Sequence, residues 1–251
     1  MHDGMRHLLA VLMALALCQS AVAAEISTVE FAGTKFTVCR VNIAKESLSV
    51  FHRDDKGAPL RSFVRLKSWL GSRGRAVTFA MNGGMFHADF SPVGLLVADG
   101  KTLSPVDDAE GEDNFYLKPN GVFVVTDTGA AVLETAEYAG RRLKARLATQ
   151  SGPLLVRGGA LHPAFKAGSK NRVVRNGVGV PSRNEAVFVI SDGPVNFFDF
   201  ATLFRDVLHC PDALYLDGSI SSLHAPTLSR SDAHAELGPI LAVTEPLGAA
   251  K

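Results

Sequence analysis

The chain has 251 residues, 47% hydrophobic and 20% charged, a globular composition that excludes wholesale disorder. Its 26 Lys and Arg nearly balance 25 Asp and Glu, for a formal net charge of +1. Bulk electrostatics therefore give no sign of a nucleic-acid partner, and the length suits one large domain with a sizeable core.

Residues 1–24 read as a secretory signal peptide. Arg6 and His7 form a basic start, and Leu8 to Leu17 is an apolar run too short to span a bilayer. Ala21-Val22-Ala23-Ala24-Glu25 is a small-residue cleavage region. A lipobox wants a small residue before its Cys, and Leu17 before Cys18 is not small, so lipidation is the weaker reading. The expected mature protein is periplasmic or secreted and has no membrane span. It keeps Cys39 and Cys210, for which a disulfide and a pair of buried thiols are equally open.

Residues 25–251 contain no repeat or linker and read as one domain. Phe36 to Val41 and Leu48 to Arg53 are expected strands around a turn. Leu60 to Leu70 is an expected helix, with Leu60, Phe63, Val64, Leu66 and Leu70 on one face. Ala76 to Met81 and Val93 to Ala98 read as buried strands, the second closed by an Asp99-Gly100 hairpin signal. Gly121 to Thr126 and Ala131 to Glu134 flank a second hairpin at Asp127-Thr128-Gly129. A helix is expected over Glu137 to Leu147, and strands over Ala148 to Val156, Val173 to Val180 and Ala186 to Ser191. Phe200 to Leu208 is an expected helix capped by Asn196 or Asp199. Ala213 to Leu216 and Ile240 to Thr244 complete the strands. The pattern predicts an α+β fold: a single domain with a mixed, largely antiparallel sheet and a few packed helices.

Several chemistries lack their motif. The sequence has no GxGxxG, no GxxxxGK[ST], no GxSxG, no HExxH and no paired CxxC. No cofactor is expected, and participation of a divalent cation is left open. The acidic run Asp107 to Asp113 does not match the calcium-loop alternation and reads as a solvated surface loop.

Polar residues and glycines instead gather at the ends of buried strands, in four segments. Asn82-Gly83-Gly84-Met85-Phe86 follows an apolar strand. Its glycines allow close backbone approach, and Asn82 offers donors and an acceptor to a hydroxyl or acetamido group. Alone it is equally a tight turn. Gln150-Ser151-Gly152-Pro153 places a polar pair before a kink, where Ser151 is a ligand donor, a nucleophile or a strand-edge hydroxyl. In Asn171 to Val180, Arg175 enters an apolar strand and needs a carboxylate or an anionic ligand opposite, its planar fork suiting phosphate. Arg172 is expected at the surface. Ala213 to Ser222 delivers Asp217 at a strand end, ahead of Gly218 and three hydroxyls, either as a reactive carboxylate or as the cap of its own turn.

In this order the segments resemble the phosphodiester glycosidase domain family, over roughly residues 75–244. The resemblance rests on Asn-Gly-Gly-x-Phe at 82–86, Ser-Gly-Pro at 151–153, Arg-x-x-x-Gly at 175–179 and Asp-Gly-x-x-Ser-Ser at 217–222. Val195-Asn196-Phe197 and the string Leu216 to Ser222 are similar to an exported bacterial branch of that family. One departure is Ser219, where the wider family usually has a second glycine.

The resemblance implies hydrolysis of the bond between an anomeric carbon and a phosphodiester, with an N-acetylglucosamine 1-phosphodiester as the type of substrate. Phosphate is a good leaving group, so one anchoring Arg and one carboxylate suffice where other glycosidases need two carboxylates. Arg175 is then the phosphate anchor and Asp217 the nucleophile or general base. Asn82, Ser151, Ser221 and Ser222, with Gly83, Gly84, Phe86, Gly152 and Gly218, are the expected substrate contacts. The expected partner is a small-molecule or cell-envelope glycosyl phosphodiester. Two rival readings are a non-catalytic binder of sugar phosphates or cell-wall glycans, and a serine hydrolase pairing Ser151 or Ser221 with a histidine.

Overall fold

The computed structural model describes residues 24–248, so the signal-peptide reading of residues 1–24 lies, Ala24 apart, outside the described range. In chain order the first strands are β1 (Glu25–Phe31), β2 (Thr34–Asn42) and β3 (Ser47–Phe51). Helix α1 (Phe63–Gly71) leads into β4 (Arg75–Asn82), β5 (Leu96–Ala98) and β6 (Lys101–Ser104). The hairpin β7 (Gly121–Thr126) and β8 (Gly129–Glu134) precedes α2 (Thr135–Gly140). Next come β9 (Ala145–Ser151), β10 (Leu154–Arg157), β11 (Ala160–Leu161), β12 (Asn176–Ser182) and β13 (Glu185–Ser191). After α3 (Phe197–Thr202) follow β14 (Asp212–Tyr215), β15 (Leu223–Ala225), β16 (Arg230–Ser231) and β17 (Ile240–Pro246).

The strands form three sheets, ordered β1-β2-β13-β12-β14-β10-β11, β16-β15-β4-β17-β3 and β6-β5-β9-β7-β8. Every pairing between these strands is antiparallel. The expected mixed sheet is thus three antiparallel ones, and the fold is richer in strand than the α+β expectation.

The three sheets share one core. Phe188 of the first sheet packs on Phe79 of the second and Phe123 of the third, with ring centroids 5.3 and 5.7 Å apart. The pleat explains the double burial of the middle strands. On β13, Ala186, Phe188 and Ile190 enter this shared core, while Val187 and Val189 face α3 on the other side. On β7, Phe123 and Val125 point inward, and Val122 and Val124 join an outer cluster beside Tyr138 of α2. Cys39 and Cys210 are both free thiols, each buried, in two different clusters.

Tertiary pairing moved several boundaries. The helix expected over Glu137 to Leu147 stops at Gly140, because Leu147 and Ala148 alternate between two apolar layers as part of β9. The Ser62 hydroxyl caps α1, accepting the Arg65 N–H. Its buried stripe is Phe63, Leu66 and Leu70; Leu60 precedes the helix, and Val64 is 64% exposed on the far side. Ala148 to Val156 is not one strand: Gly152-Pro153 divides it into β9 and β10, which lie in different sheets. Regular pairing of β12 begins only at Asn176, leaving Arg175 just ahead of it. Asn196 caps α3, which starts at Phe197 and runs into a π turn over Leu203–Val207. Strands β1, β6, β11, β15 and β16 are not among those expected.

Because Phe188 is fully buried where all three sheets meet, Phe188→Ala is expected to cost about 3–5 kcal/mol, and Phe188→Leu clearly less. Denaturant melts of the two variants check this.

Candidate active site

Three strand ends make the floor of the site. β4 finishes at Asn82, β12 starts at Asn176, and β14 finishes at Tyr215, which is two residues before Asp217. Gly177 lies opposite Tyr215, so the β12 and β14 ends fall on one edge. Asn82 and Asn176 belong to different sheets, and their amides join those sheets. Asn176 Nδ2 donates to Asn82 Oδ1 at 2.9 Å. The same oxygen accepts the Ser222 N–H at 2.9 Å, and Asn82 Nδ2 donates to the Asp217 carbonyl at 2.8 Å. The Ser221 hydroxyl is directed to the Gly218 carbonyl at 3.0 Å and to Asn176 Oδ1 at 3.4 Å. The Asp217–Ser222 loop is therefore fastened at both ends by buried amides.

The glycine segments serve the same floor. Gly83 donates to the Pro239 carbonyl at 2.7 Å and Gly84 to Thr149 Oγ1 at 3.2 Å. A side chain at Gly84 would strike the Gln150 carbonyl, and one at Gly152 would meet the Phe115 carbonyl at 2.5 Å. Gln150 Oε1 accepts the N–H groups of Leu95 and Asp107, each at 3.0 Å. It thereby holds the start of the acidic run. That run is more than a solvated loop: Asp113 and the following Asn114 and Tyr116 wall part of a cleft.

The cleft has two lobes that share Asn114, Tyr215 and Ser219. The larger, about 780 Å³, is lined by Arg175, Gly218, Ser221, Asn171 and Arg230, among others. The smaller, about 340 Å³, is lined by Asp217, Phe86, His87 and Asp113, among others. Of the residues expected to touch substrate, Arg175, Gly218, Ser221, Asp217 and Phe86 reach the cleft. Asn82, Gly83, Gly84, Ser151, Gly152 and Ser222 line neither lobe. The buried amide of Asn82 is already bonded to protein groups, the Ser222 hydroxyl donates to the Ile220 carbonyl, and Ser151 Oγ is buried without a partner. Among the described residues no histidine bonds Ser151 or Ser221, so the nucleophile–base pair of a serine hydrolase is not assembled.

Arg175 is 1% exposed, yet no carboxylate faces it among the described residues. Its Nε donates to the Val195 carbonyl at 2.9 Å. Its guanidinium lies 3.6 Å above the Phe197 ring, a cation–π contact. Nη2 makes only long contacts, 3.4 and 3.5 Å, to Asn171. Burial lowers the Arg175 pKa, with Tyr215 acting the other way. Arg230 is different, since Asp192 at 2.6 Å and Asp232 at 3.0 Å neutralise it. Arg172 lies at the surface, as expected, paired to Asp199 at 3.2 Å. Across the lobe boundary, burial pushes the Asp217 carboxyl up to about 6, against one backbone N–H from Ser219 that lowers it. A carboxyl near 6 suits proton transfer around neutral pH.

Sequence reasoning passed over Tyr215, Asn176, Asn171 and Asn114. Two had a signal: Tyr215 is a polar aromatic in the strand leading to Asp217, and Asn176 follows Arg175. Asn171 and Asn114 come from loops whose place is set by tertiary contacts alone.

The sequence profile of the phosphodiester glycosidases matches residues 75–234, a span that contains all four segments. The chain belongs to the phosphodiester glycosidase family. It is accordingly a hydrolase of the class that acts on glycosyl phosphodiesters. This phosphodiester glycosidase is 31% identical over 184 residues to YigE of Escherichia coli (strain K12), an uncharacterized protein, covering 73% of this chain and 72% of YigE. Its fold is shared with the catalytic domain of zebrafish N-acetylglucosamine-1-phosphodiester alpha-N-acetylglucosaminidase, whose structure is auto-inhibited by a pro-peptide. That likeness has a TM-score of 0.60 at 16% identity, over 88% of this chain and 81% of the other. A hypothetical protein from Synechocystis is similar with a TM-score of 0.50 at 14% identity, over 88% of this chain and 61% of its own.

The raised Asp217 pKa has a consequence for stability. A carboxyl that is harder to ionise in the fold than in the unfolded chain favours the fold fully below its unfolded value, near 3.8. That contribution is lost as pH rises through about 6. Asp217→Asn removes the charge, so it is expected to stabilise the protein at pH 7.5, on the order of 1–2 kcal/mol after solvent screening. The gain should vanish near pH 3.5. Thermal melts of both proteins across this range measure it.

Proposed function

We propose that this phosphodiester glycosidase hydrolyses a glycosyl 1-phosphodiester at the bond between the anomeric carbon and the phosphate oxygen. Arg175 anchors the phosphate in the larger lobe, and Asp217 works on the sugar in the smaller one as nucleophile or general base. The observation that carries this reading is a buried guanidinium with no carboxylate partner in one lobe, and a carboxyl raised towards neutrality in the adjoining one. An unpaired buried cation is costly, and an anionic ligand supplies the missing charge. Departing phosphate needs charge stabilisation more than protonation, so one carboxylate suffices.

Phe86 and Ser221 are substrate contacts in this reading, while Asn82, Gly83, Gly84 and Gly152 act by holding the loop and the walls. The name of the zebrafish relative makes an N-acetylglucosamine 1-phosphodiester the first substrate to try. Export fits the pattern of residues 1–24, and no described helix is long and apolar enough to cross a membrane.

The test is release of free sugar from such a diester by the mature protein. Wild type should turn over, with kcat/KM falling about tenfold per pH unit below about 6 as Asp217 takes up its proton. Asp217→Asn should lose at least about 10³-fold in kcat, and Arg175→Ala about 10²–10³-fold in kcat/KM. Full turnover by a folded Asp217→Asn protein removes the carboxylate role. Unchanged affinity for a phosphate-bearing substrate in Arg175→Ala removes the anchor. No release from any glycosyl phosphodiester turns the reading to a binding protein. The anomer first released separates nucleophile from base.

A further inference from the structure

Tyr215 hydrogen-bonds Arg175 and stands two residues before Asp217. It is 2% exposed, at the end of β14, and it lines both lobes of the cleft together with Asn114 and Ser219. Its ring is fixed edge-on against Phe197, at 4.8 Å between centroids, and Phe197 is also the platform under Arg175. Its hydroxyl accepts from Arg175 Nη1 at 3.5 Å, and the backbone of Gly218 lies against it. A side chain at position 218 would collide with this hydroxyl, so the glycine after Asp217 is required by Tyr215.

A phenol oxygen that accepts a hydrogen bond still has a proton of its own to give. Among the described residues no acceptor takes it. A buried hydroxyl proton without an acceptor is rare in a folded protein, and here it stands at the junction of two lobes. Burial also raises the phenol pKa, so the proton is present at neutral pH. In the reading above the phosphate lies on Arg175, and it consists of acceptors only.

We propose that Tyr215 is a further catalytic residue, whose hydroxyl donates a hydrogen bond to the phosphate oxygen that leaves the anomeric carbon. The proposal rests on the glycosyl phosphodiester reading above. In the reaction the bond from C1 to the phosphate oxygen breaks, and its electron pair stays on that oxygen. Water, or Asp217 first and water after it, forms the new bond to C1. One proton of the water passes to a base, and the products are the free sugar and a phosphate monoester. Tyr215 keeps its proton throughout. Its hydrogen bond strengthens as charge gathers on the leaving oxygen, which is the condition for lowering a barrier rather than merely binding.

The experiment compares wild type with Tyr215→Phe, which keeps the ring, its packing on Phe197 and the fold, as a thermal melt verifies. Binding of N-acetylglucosamine 1-phosphate is measured by calorimetry, and turnover on an alkyl and an aryl phosphodiester of the same sugar. The expected result is about tenfold weaker binding of the probe and a loss of about 10–10²-fold in kcat on the alkyl diester. The loss should be smaller on the aryl diester, whose better leaving phosphate needs less help. Equal affinity for the probe in the two proteins overturns the proposal, and so does wild type that does not bind it. An equal kcat loss on both diesters also overturns it, because that is what a residue holding Arg175 in place would give. Absence of sugar release by wild type is a failure of the hydrolase reading, and the binding comparison still decides the contact.

Discussion

The amide pair Asn82–Asn176 is the joint on which the site depends. It is fully buried, and it is where the sheet containing β4 meets the sheet containing β12 at the edge that carries the cleft. Its acceptors and donors reach the Asp217 carbonyl, the Ser222 N–H and the Ser221 hydroxyl. A buried amide network of this kind is valuable only when it is satisfied throughout, because each orphaned group costs about 1–3 kcal/mol. The two sheets therefore cannot move apart at this edge without breaking several bonds at once. Rigidity of this kind is what a preorganised charge site requires, since donors that must reorganise during a reaction lose their advantage.

Against that rigid floor the charges are arranged unevenly. Arg230 is matched by two carboxylates, and Arg172 has Asp199. Arg175 is the most deeply buried of the three and has only a carbonyl, an asparagine, a phenol and an aromatic face. These groups orient the guanidinium without neutralising it. Phe197 and Tyr215 do so from two sides, and Asn196 caps the helix that carries Phe197. The string Val195-Asn196-Phe197 thus works as a unit: a carbonyl for Nε, a helix cap and a platform. The same division applies to the carboxylate, where desolvation dominates and only one N–H opposes it.

How much of this was legible follows from what each residue type is forced to do. Arg175 and Asp217 could be read because a charged group in or after an apolar strand needs an explanation wherever the strand lies. The central strands could be read for the same reason, since Phe188 or Phe123 in a β-branched run has few places to go but a core. Asn82 and the paired glycines were visible as special but not as to purpose. A polar group at a strand end serves ligand and backbone equally well, and only the position of Pro239, Thr149 and Asp217 decides between them. The helix expected after Glu137 failed because local periodicity cannot know that Leu147 will be paired with Val125 of β7. Asn114 and Asn171 had no sequence signal, since their loops are placed by contacts far away in the chain.

This split between floor and wall bears on how substrates are told apart. The residues that identify the family are mostly those that close the joint and permit close packing, and they line neither lobe. Away from Arg175 and Asp217 the cleft is lined by Asn114, Asn171, Asp192, Asp232, Ser219 and Phe86, among others, which come from loops and strand ends of several elements. Ser219 is the clearest instance. Its backbone N–H supports Asp217 at 3.2 Å, a service any residue can perform. Its side chain, where the wider family usually has glycine, stands at the boundary of the two lobes and takes up room that a glycine leaves empty. Ser219 is thus a motif position that, like Phe86 and Asp217, also forms part of the cleft wall.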